Sequence, residues 1–359
     1  MDQEVFQKLQ KQLDQYSIGF PATESGVEFK ILRKLFSVDD AALFTQMSPR
    51  LESAADLASR LGREPGELAV KLESMANRGL LFRLKKGGEP RYAAIPFIHG
   101  LFEFQVKNLD PELARLVEEY TADKNFEQAM QTSAGAFLRP IPVQRSVPVE
   151  HHVASYEDAA QILRSVDKIV LTDCICRKHK EAVGQGCGKV MEACFMFGSM
   201  GQYYLDRGMG RQVGLDEALK VLAAAAQEGL VTQPGTAQNP AGMCNCCGDC
   251  CGVLATLNKH PKPASIVFSN HYASLDPAAC TGCETCLERC QMGAIDIDAD
   301  GKAIIDLDRC IGCGLCVITC PAEAITLAQK PEDQRSGEPP RTGADQMRYM
   351  AQKRGLLRG

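Results

Sequence analysis

Eight cysteines between residues 280 and 320 constrain this chain more than any other feature in it. They form two rows, Cys280, Cys283, Cys286 and Cys290, then Cys310, Cys313, Cys316 and Cys320, with Pro321 following the second row. Both rows read C-x2-C-x2-C-x3-C. A shift of thirty residues superimposes Asp276 on Asp306, every cysteine on its counterpart, and Ala294-Ile295 on Ala324-Ile325, so the segment is an internal duplication. Three thiols two residues apart can wrap one corner of an iron–sulfur cube, which needs four thiolates converging from different directions. Zinc is the competing chemistry, since C-x2-C pairs also build tetrahedral structural sites. Eight cysteines in this duplicated order, closed by Cys-Pro, argue for the cube.

The rows resemble those of the bacterial two-cluster ferredoxins. That resemblance implies two [4Fe–4S] clusters with crossed ligation, the fourth cysteine of each row reaching the other cluster. Cluster I would then take Cys280, Cys283, Cys286 and Cys320, and cluster II would take Cys310, Cys313, Cys316 and Cys290. Gln291 departs from the family pattern, which usually has proline there; the change loosens one loop and removes no ligand. Residues 276–330 hold nine acidic against four basic side chains, a net of -5. Such a face suits transient docking on a basic redox partner.

The chain has 359 residues, enough for two or three domains. Its 45% hydrophobic and 24% charged content is that of an ordinary globular protein. A net charge of -5 excludes a broadly basic nucleic-acid binder. No apolar run suggests a secretory signal or a membrane span, so a cytoplasmic protein without membrane insertion is expected. In a reducing compartment the seventeen cysteines read as metal ligands rather than disulfides.

Helical spacing of Ile31, Leu32, Leu35 and Phe36 opens an N-terminal module. A second helix is expected over 53–61 with Ser53 as cap, and a third over 65–77 with Pro65 in its first turn. Two β-like pieces, 80–84 and 92–95, flank the turn residues Lys86-Gly87-Gly88. This order resembles a winged helix, a fold that most often reads DNA through its third helix. Around that helix, however, Arg63, Lys71 and Arg78 are balanced by Glu64, Glu67 and Glu73, which favours a protein-docking role over DNA. Helical periodicity continues over 97–134, and proline-punctuated segments at 139–143 and 147–149 make a link. A helix over 157–166 capped by Ser155, then a buried strand over 168–171, deliver the chain to Cys174.

Nine further cysteines follow. Cys174 and Cys176 precede Arg177; Cys187 and Cys194 come next; then, after a helix expected over 216–229, the run Cys244, Cys246, Cys247, Cys250 and Cys251. The pattern resembles multi-cluster iron–sulfur proteins of anaerobes that also carry a C-terminal two-cluster ferredoxin. The ligand candidates for one or more extra clusters are Cys174, Cys176, Cys187, Cys194, Cys244, Cys247 and Cys250. Some members of the Cys-Cys doublets are expected to be buried small hydrophobes, because adjacent side chains rarely reach one metal. A zinc site using Cys174, Cys176 and His179 is an alternative. Arg177 and Lys178 would offset cluster charge. His151-His152, His260 and His271 read as loop, linker or surface residues, and an exposed tail follows residue 330, with a short basic helix over 345–358 as its other reading.

The expected fold class is α+β. A helical winged-helix-like domain spans 1–135, a mixed α/β cysteine-rich middle domain 136–270, a bacterial ferredoxin-like dicluster domain 271–330, and a tail 331–359. The expected function is single-electron relay between redox protein partners, as a subunit of a larger anaerobic complex. A cluster-sensing transcription regulator, and a catalytic subunit with a substrate-binding cluster in the middle domain, are the alternatives. No nucleotide motif and no catalytic triad emerges, so no catalytic residue is assigned. Oligomeric state is left open.

Overall fold

The computed structural model describes residues 2–86, 88–143, 146 and 154–357. The His151-His152 pair, the 147–149 link and Arg358 lie outside them.

Helices α1 (Asp2–Leu13), α2 (Val27–Leu35) and α3 (Val38–Phe44) lead into a short strand β1 (Glu52–Ser53). Helices α4 (Ala54–Leu61) and α5 (Pro65–Asn77) follow, then strands β2 (Phe82–Lys86) and β3 (Glu89–Ala93). Local chemistry sets these boundaries. Ser53 accepts from Asp56 N and Asp56 returns the bond, a capping box, while Pro65 sits in the first turn of α5. The three strands form an antiparallel sheet in the order β1-β3-β2. The hairpin is displaced by about two residues from the expectation at its first strand and by three at the second, so the ladder ends at Lys86 opposite Glu89. Residues 97–105 break the expected helix into irregular turns before α6 (Pro111–Thr121) and α7 (Lys124–Phe137) resume it.

Next come α8 (Ala159–Ser165), β4 (Ile169–Asp173), α9 (Ile175–Ala182), β5 (Glu192–Phe197) and α10 (Gly198–Asp206). Asp158, not Ser155, caps α8, because its carboxylate accepts from both Ala160 N and Gln161 N. The elements β6 (Arg211–Val213), α11 (Leu215–Gln227), β7 (Val231–Pro234) and β8 (Gly242–Cys246) complete an antiparallel sheet of order β6-β4-β5-β8-β7. Alternation along its strands divides the side chains. Ile169, Leu171, Phe195, Phe197 and Met243 pack with α8 and α11, while Val170, Cys194, Met196 and Cys246 join the core shared with the N-terminal elements.

The last part runs α12 (Gly252–Lys259), β9 (His271–Leu275), α13 (Thr285–Arg289), β10 (Ile295–Ile297), β11 (Ala303–Ile305), β12 (Ile325–Gln329) and α14 (Gly343–Lys353). The thirty-residue duplication extends to the backbone. Strands β9 and β12 pair as β11 and β10 do, and Asp276 N bonds Ala324 O as Asp306 N bonds Ala294 O, each at 2.8 Å. His271 is buried in β9 rather than lying on the surface. The tail divides: residues 331–338 are exposed as expected, while α14 docks on the N-terminal elements through Gln346 to the Ala136 and Phe137 carbonyls, a buried Met350, and Arg354 to Asp14 at 3.1 Å. Among the described residues no helix is long and apolar enough to cross a membrane.

Candidate metal centres

The eight paired-row cysteines surround two small cavities of about 20 Å³ each. Cys280, Cys283, Cys286 and Cys320 line one; Cys290, Cys310, Cys313 and Cys316 line the other. Each set therefore contains three cysteines of one row and the last cysteine of the other. Gly282 and Gly312 hold φ of 69° and 71°, turning the backbone around the cavity at matched positions. A Cβ at Gly312 would lie 2.2 Å from the His271 carbonyl, so no larger residue fits there. The donor set suits an iron–sulfur cube better than one ion. Four thiolates on one zinc at about 2.3 Å would stand roughly 3.8 Å apart. Among the described residues no three of these eight sulfurs come within 4.8 Å of one another.

The two halves differ in exposure. Cys283 is exposed, whereas Cys310 and Cys316 are buried against the rest of the chain. Burial pushes the Cys313 thiol up to about 12, and the Cys310 and Cys316 thiols also rise. Val143 N donates to Cys313 O at 3.0 Å, binding the second half to the segment before α8. Gln291, the residue in the proline position, is a joint: its amide oxygen accepts from Gly248 N at 2.6 Å and its carbonyl accepts from Asn258 at 2.9 Å. An added Cβ at Gly248 would meet Gln291 O at 2.8 Å, so glycine permits this approach.

All nine middle-region cysteines fall into two groups. Six form a closed ring of thiol neighbours running Cys174, Cys176, Cys251, Cys246, Cys244, Cys194 and back to Cys174. The remaining three, Cys187, Cys247 and Cys250, lie within 4.8 Å of one another, with Cys187 and Cys247 sulfurs 3.8 Å apart. That spacing is what about 2.3 Å bonds to one tetrahedral ion produce, unlike the spread seen at the paired rows.

Secondary structure explains the grouping. Cys194 on β5 stands directly across from Cys244 on β8, and Cys246 lies two residues on, on the same sheet face. Cys174 is the N-cap of α9, with Cys176 in its first turn, and Cys251 is the N-cap of α12. The partial positive charge of a helix start favours thiolate there. Cys246 and Cys251 were absent from the sequence-derived ligand set, because adjacent cysteines were expected not to share a metal. They do not share one: each doublet splits, Cys246 and Cys251 going to the ring, Cys247 and Cys250 to the trio. The signal available was the Cys-x-Cys alternation on a strand.

Arg177 stands between the groups. It is 2% exposed and donates to Val190 O at 3.0 Å and Asn245 O at 2.8 Å. Burial opposes its charge, but the sulfurs of Cys174, Cys247, Cys194 and Cys246 outweigh that and raise it, so it is a permanent cation among thiols. Cys174, held by hydrogen bonds from Cys176 and Cys194, lies well below the usual thiol range, as does Cys251 between Cys176 and Cys246. In the trio, burial pushes Cys247 and Cys250 up; Cys187 falls despite its burial, held by the Lys189 backbone amide and the two neighbouring thiols. Lys178 pairs with Asp173 at 3.4 Å instead of facing sulfur. His179 Nε2 bonds Ala114 O at 2.9 Å and its ring meets Phe102 edge-on; among the described residues it joins no group of three donor atoms within 4.8 Å, so the zinc alternative built on it gains no support.

The ring forms one wall of a cavity of about 320 Å³. Residues of α6, α7 and the 97–105 turns supply the facing walls.

No curated protein and no solved structure matches the chain. A protein-family model does match part of it: residues 266–327 match the model of a 4Fe-4S dicluster domain.

Proposed function

We propose that the protein is an iron–sulfur electron-transfer protein in which the dicluster domain relays single electrons between a redox partner and a metal centre in the middle region. Cys280, Cys283, Cys286 and Cys320 would hold cluster I; Cys310, Cys313, Cys316 and Cys290 would hold cluster II. The six-thiol ring and the Cys187–Cys247–Cys250 trio would hold further metal, the ring an iron–sulfur centre and the trio a single thiophilic ion. Bound clusters supply reversible one-electron storage; the chain sets burial, charge and orientation.

The observation that carries this reading is the Gln291 joint. Gln291 follows Cys290, a cluster II residue, and its side chain bonds the backbone of Gly248 between Cys247 and Cys250. Electrons would arrive at the exposed Cys283 side. There Lys302 turns inward to the Cys280 carbonyl, Arg289 donates to Ala226 O and Gln227 O, and Arg309 donates to Met292 O, leaving the acidic residues outward. That acidic face suits a basic partner. Gln291→Pro, which restores the family residue, tests the relay. Both dicluster spectra should survive, while electron transfer onward into the middle region, followed by rapid-freeze EPR, slows at least several-fold. An unchanged rate removes the joint from the path.

The N-terminal module is read as winged-helix-like and used for protein docking. The β2–β3 hairpin after α4 and α5, closed into a β1-β3-β2 sheet by the strand before α4, supports the first part. Asp40 supports the second: it takes ion pairs from Lys71 and Arg78, each at 2.7 Å, so two of the three cations around the third helix are already committed within the module. The reducing cytoplasm of an anaerobe is the compartment this reading implies, and all seventeen cysteines are free thiols.

A further inference from the structure

We propose that the cavity beside the six-thiol ring is a binding site for a small, uncharged, mainly apolar molecule carrying one hydrogen-bonding oxygen, held against Tyr204. This rests on the relay reading in one respect, that the ring holds metal.

Size is the first argument. The cavities among the paired-row cysteines are about 20 Å³ each, which gives the scale of the space those thiol sets enclose in this chain. The middle cavity is about 320 Å³, an order of magnitude more. Small-molecule sites start at about 300 Å³. A centre on the ring leaves most of that space to something else.

The second argument is the character of the other walls. Phe102, Val117, Phe126, Met130 and Phe137 face the ring across the cavity, apolar surface that a charged cluster does not require. The lining reaches exposed Ala122 and Lys259, so the mouth lies between the α6–α7 turn and α12. Cations near it are already paired, Lys259 with Glu127 at 2.7 Å and Lys180 with Glu118 at 2.6 Å. Among the described lining residues an anionic ligand would find no unpaired lysine or arginine.

The third argument is Tyr204. Its side chain is 1% exposed and lines the cavity, yet its hydroxyl makes no hydrogen bond to another described residue. The hydroxyl is not among the buried atoms left without a partner, so it opens on the cavity, where a ligand oxygen can bond it. Glu103, also in the lining, is buried and accepts from Gly100 N at 2.7 Å, which fixes that wall.

The test uses the full chain, purified anaerobically with its metal, and 1-naphthol as probe, read by its own fluorescence and by calorimetry. Naphthol should bind saturably at one site, and 1-naphthalenesulfonate should not. Tyr204→Phe should weaken binding roughly fivefold, the loss of one hydrogen bond. Met130→Trp fills the cavity from α7 and Val253→Phe from α12, and whichever variant keeps its iron and its melting temperature should bind no naphthol. Absence of saturable binding by the full chain overturns the proposal, as does equal binding of the sulfonate or unchanged binding after filling. Binding only after iron is stripped also overturns it, since the space would then belong to the metal. Iron analysis of the same samples keeps the two readings apart. Iron no higher than about eight per chain, the content of two cubes, sinks the middle centre of the relay reading. Full iron without naphthol binding sinks only the site.

Discussion

In the dicluster domain each thiol set comes from one short row plus one cysteine of the other row, whereas the six-thiol ring draws on two helix starts and two neighbouring strands. The first arrangement is nearly local, and its geometry is written into spacing. The second exists only when the five-stranded sheet has formed and both α9 and α12 have docked on it. Metal bound in the middle region would therefore act as folding energy for that region, as in other metal-closed domains. Metal in the dicluster domain organises a segment that the duplication already shapes.

Four measurements would break or sharpen this contrast. The largest effect belongs to the ring. Cys194→Ser and Cys251→Ser should each cost most of the iron above about eight per chain and leave the middle region open to proteolysis, while the dicluster EPR signals persist. Retention of full iron and protease resistance by both variants would make those cysteines ordinary core residues. Next comes the trio. Cys187→Ser should lose a single metal equivalent and leave ring iron intact; X-ray absorption at that metal should give sulfur at about 2.3 Å in the parent protein. Loss of several irons instead would merge trio and ring into one centre.

A smaller effect concerns the exposed half of the dicluster domain. Reduction by a basic partner should slow several-fold as salt rises from about 50 to 300 mM, because the acidic face steers encounter. Salt-independent reduction would assign the electron donor to another face. The smallest effect tests the module that has no thiols at all. Asp40 is 1% exposed, and although burial opposes it, Lys71, Arg78 and Ser37 hold its carboxyl down to about 2. A depressed carboxyl stabilises the fold above its ordinary value and loses that stabilisation as pH falls from about 4 through 2. Asp40→Asn should thus cost about 2 kcal/mol near neutral pH and flatten the acid limb of the unfolding curve, with iron content unchanged. An acid limb identical to the parent's would remove Asp40 as its source.

Legibility in the sequence tracked how local each feature is. The bounds of α5 agree with those read from Pro65 and the Leu68, Leu72, Met75 spacing, because caps and periodicity act within a few residues. The hairpin register and the breaks at 97–105 were less legible, since pairing partners and core contacts set them. From the sequence the tail reads as exposed chain, with a short helix over 345–358 as its other reading. Only a buried Met350 and Gln346 meeting α7 from 210 residues away give α14 a place.

The cysteines divide the same way. By itself the sequence determined the two rows, their thirty-residue repeat, and the chemistry that four soft thiolates at such spacing select. It also determined that nine more thiols needed a place. Tertiary structure alone decided that Cys246 and Cys247 face different centres, that Cys250 and Cys251 do likewise, and that Gln291 touches Gly248. The reason is physical. Cys246 ends strand β8, where successive side chains leave on opposite faces, and Cys251 caps α12 one residue after Cys250; which thiols each of them meets depends on strands and helices brought together from about eighty residues of chain.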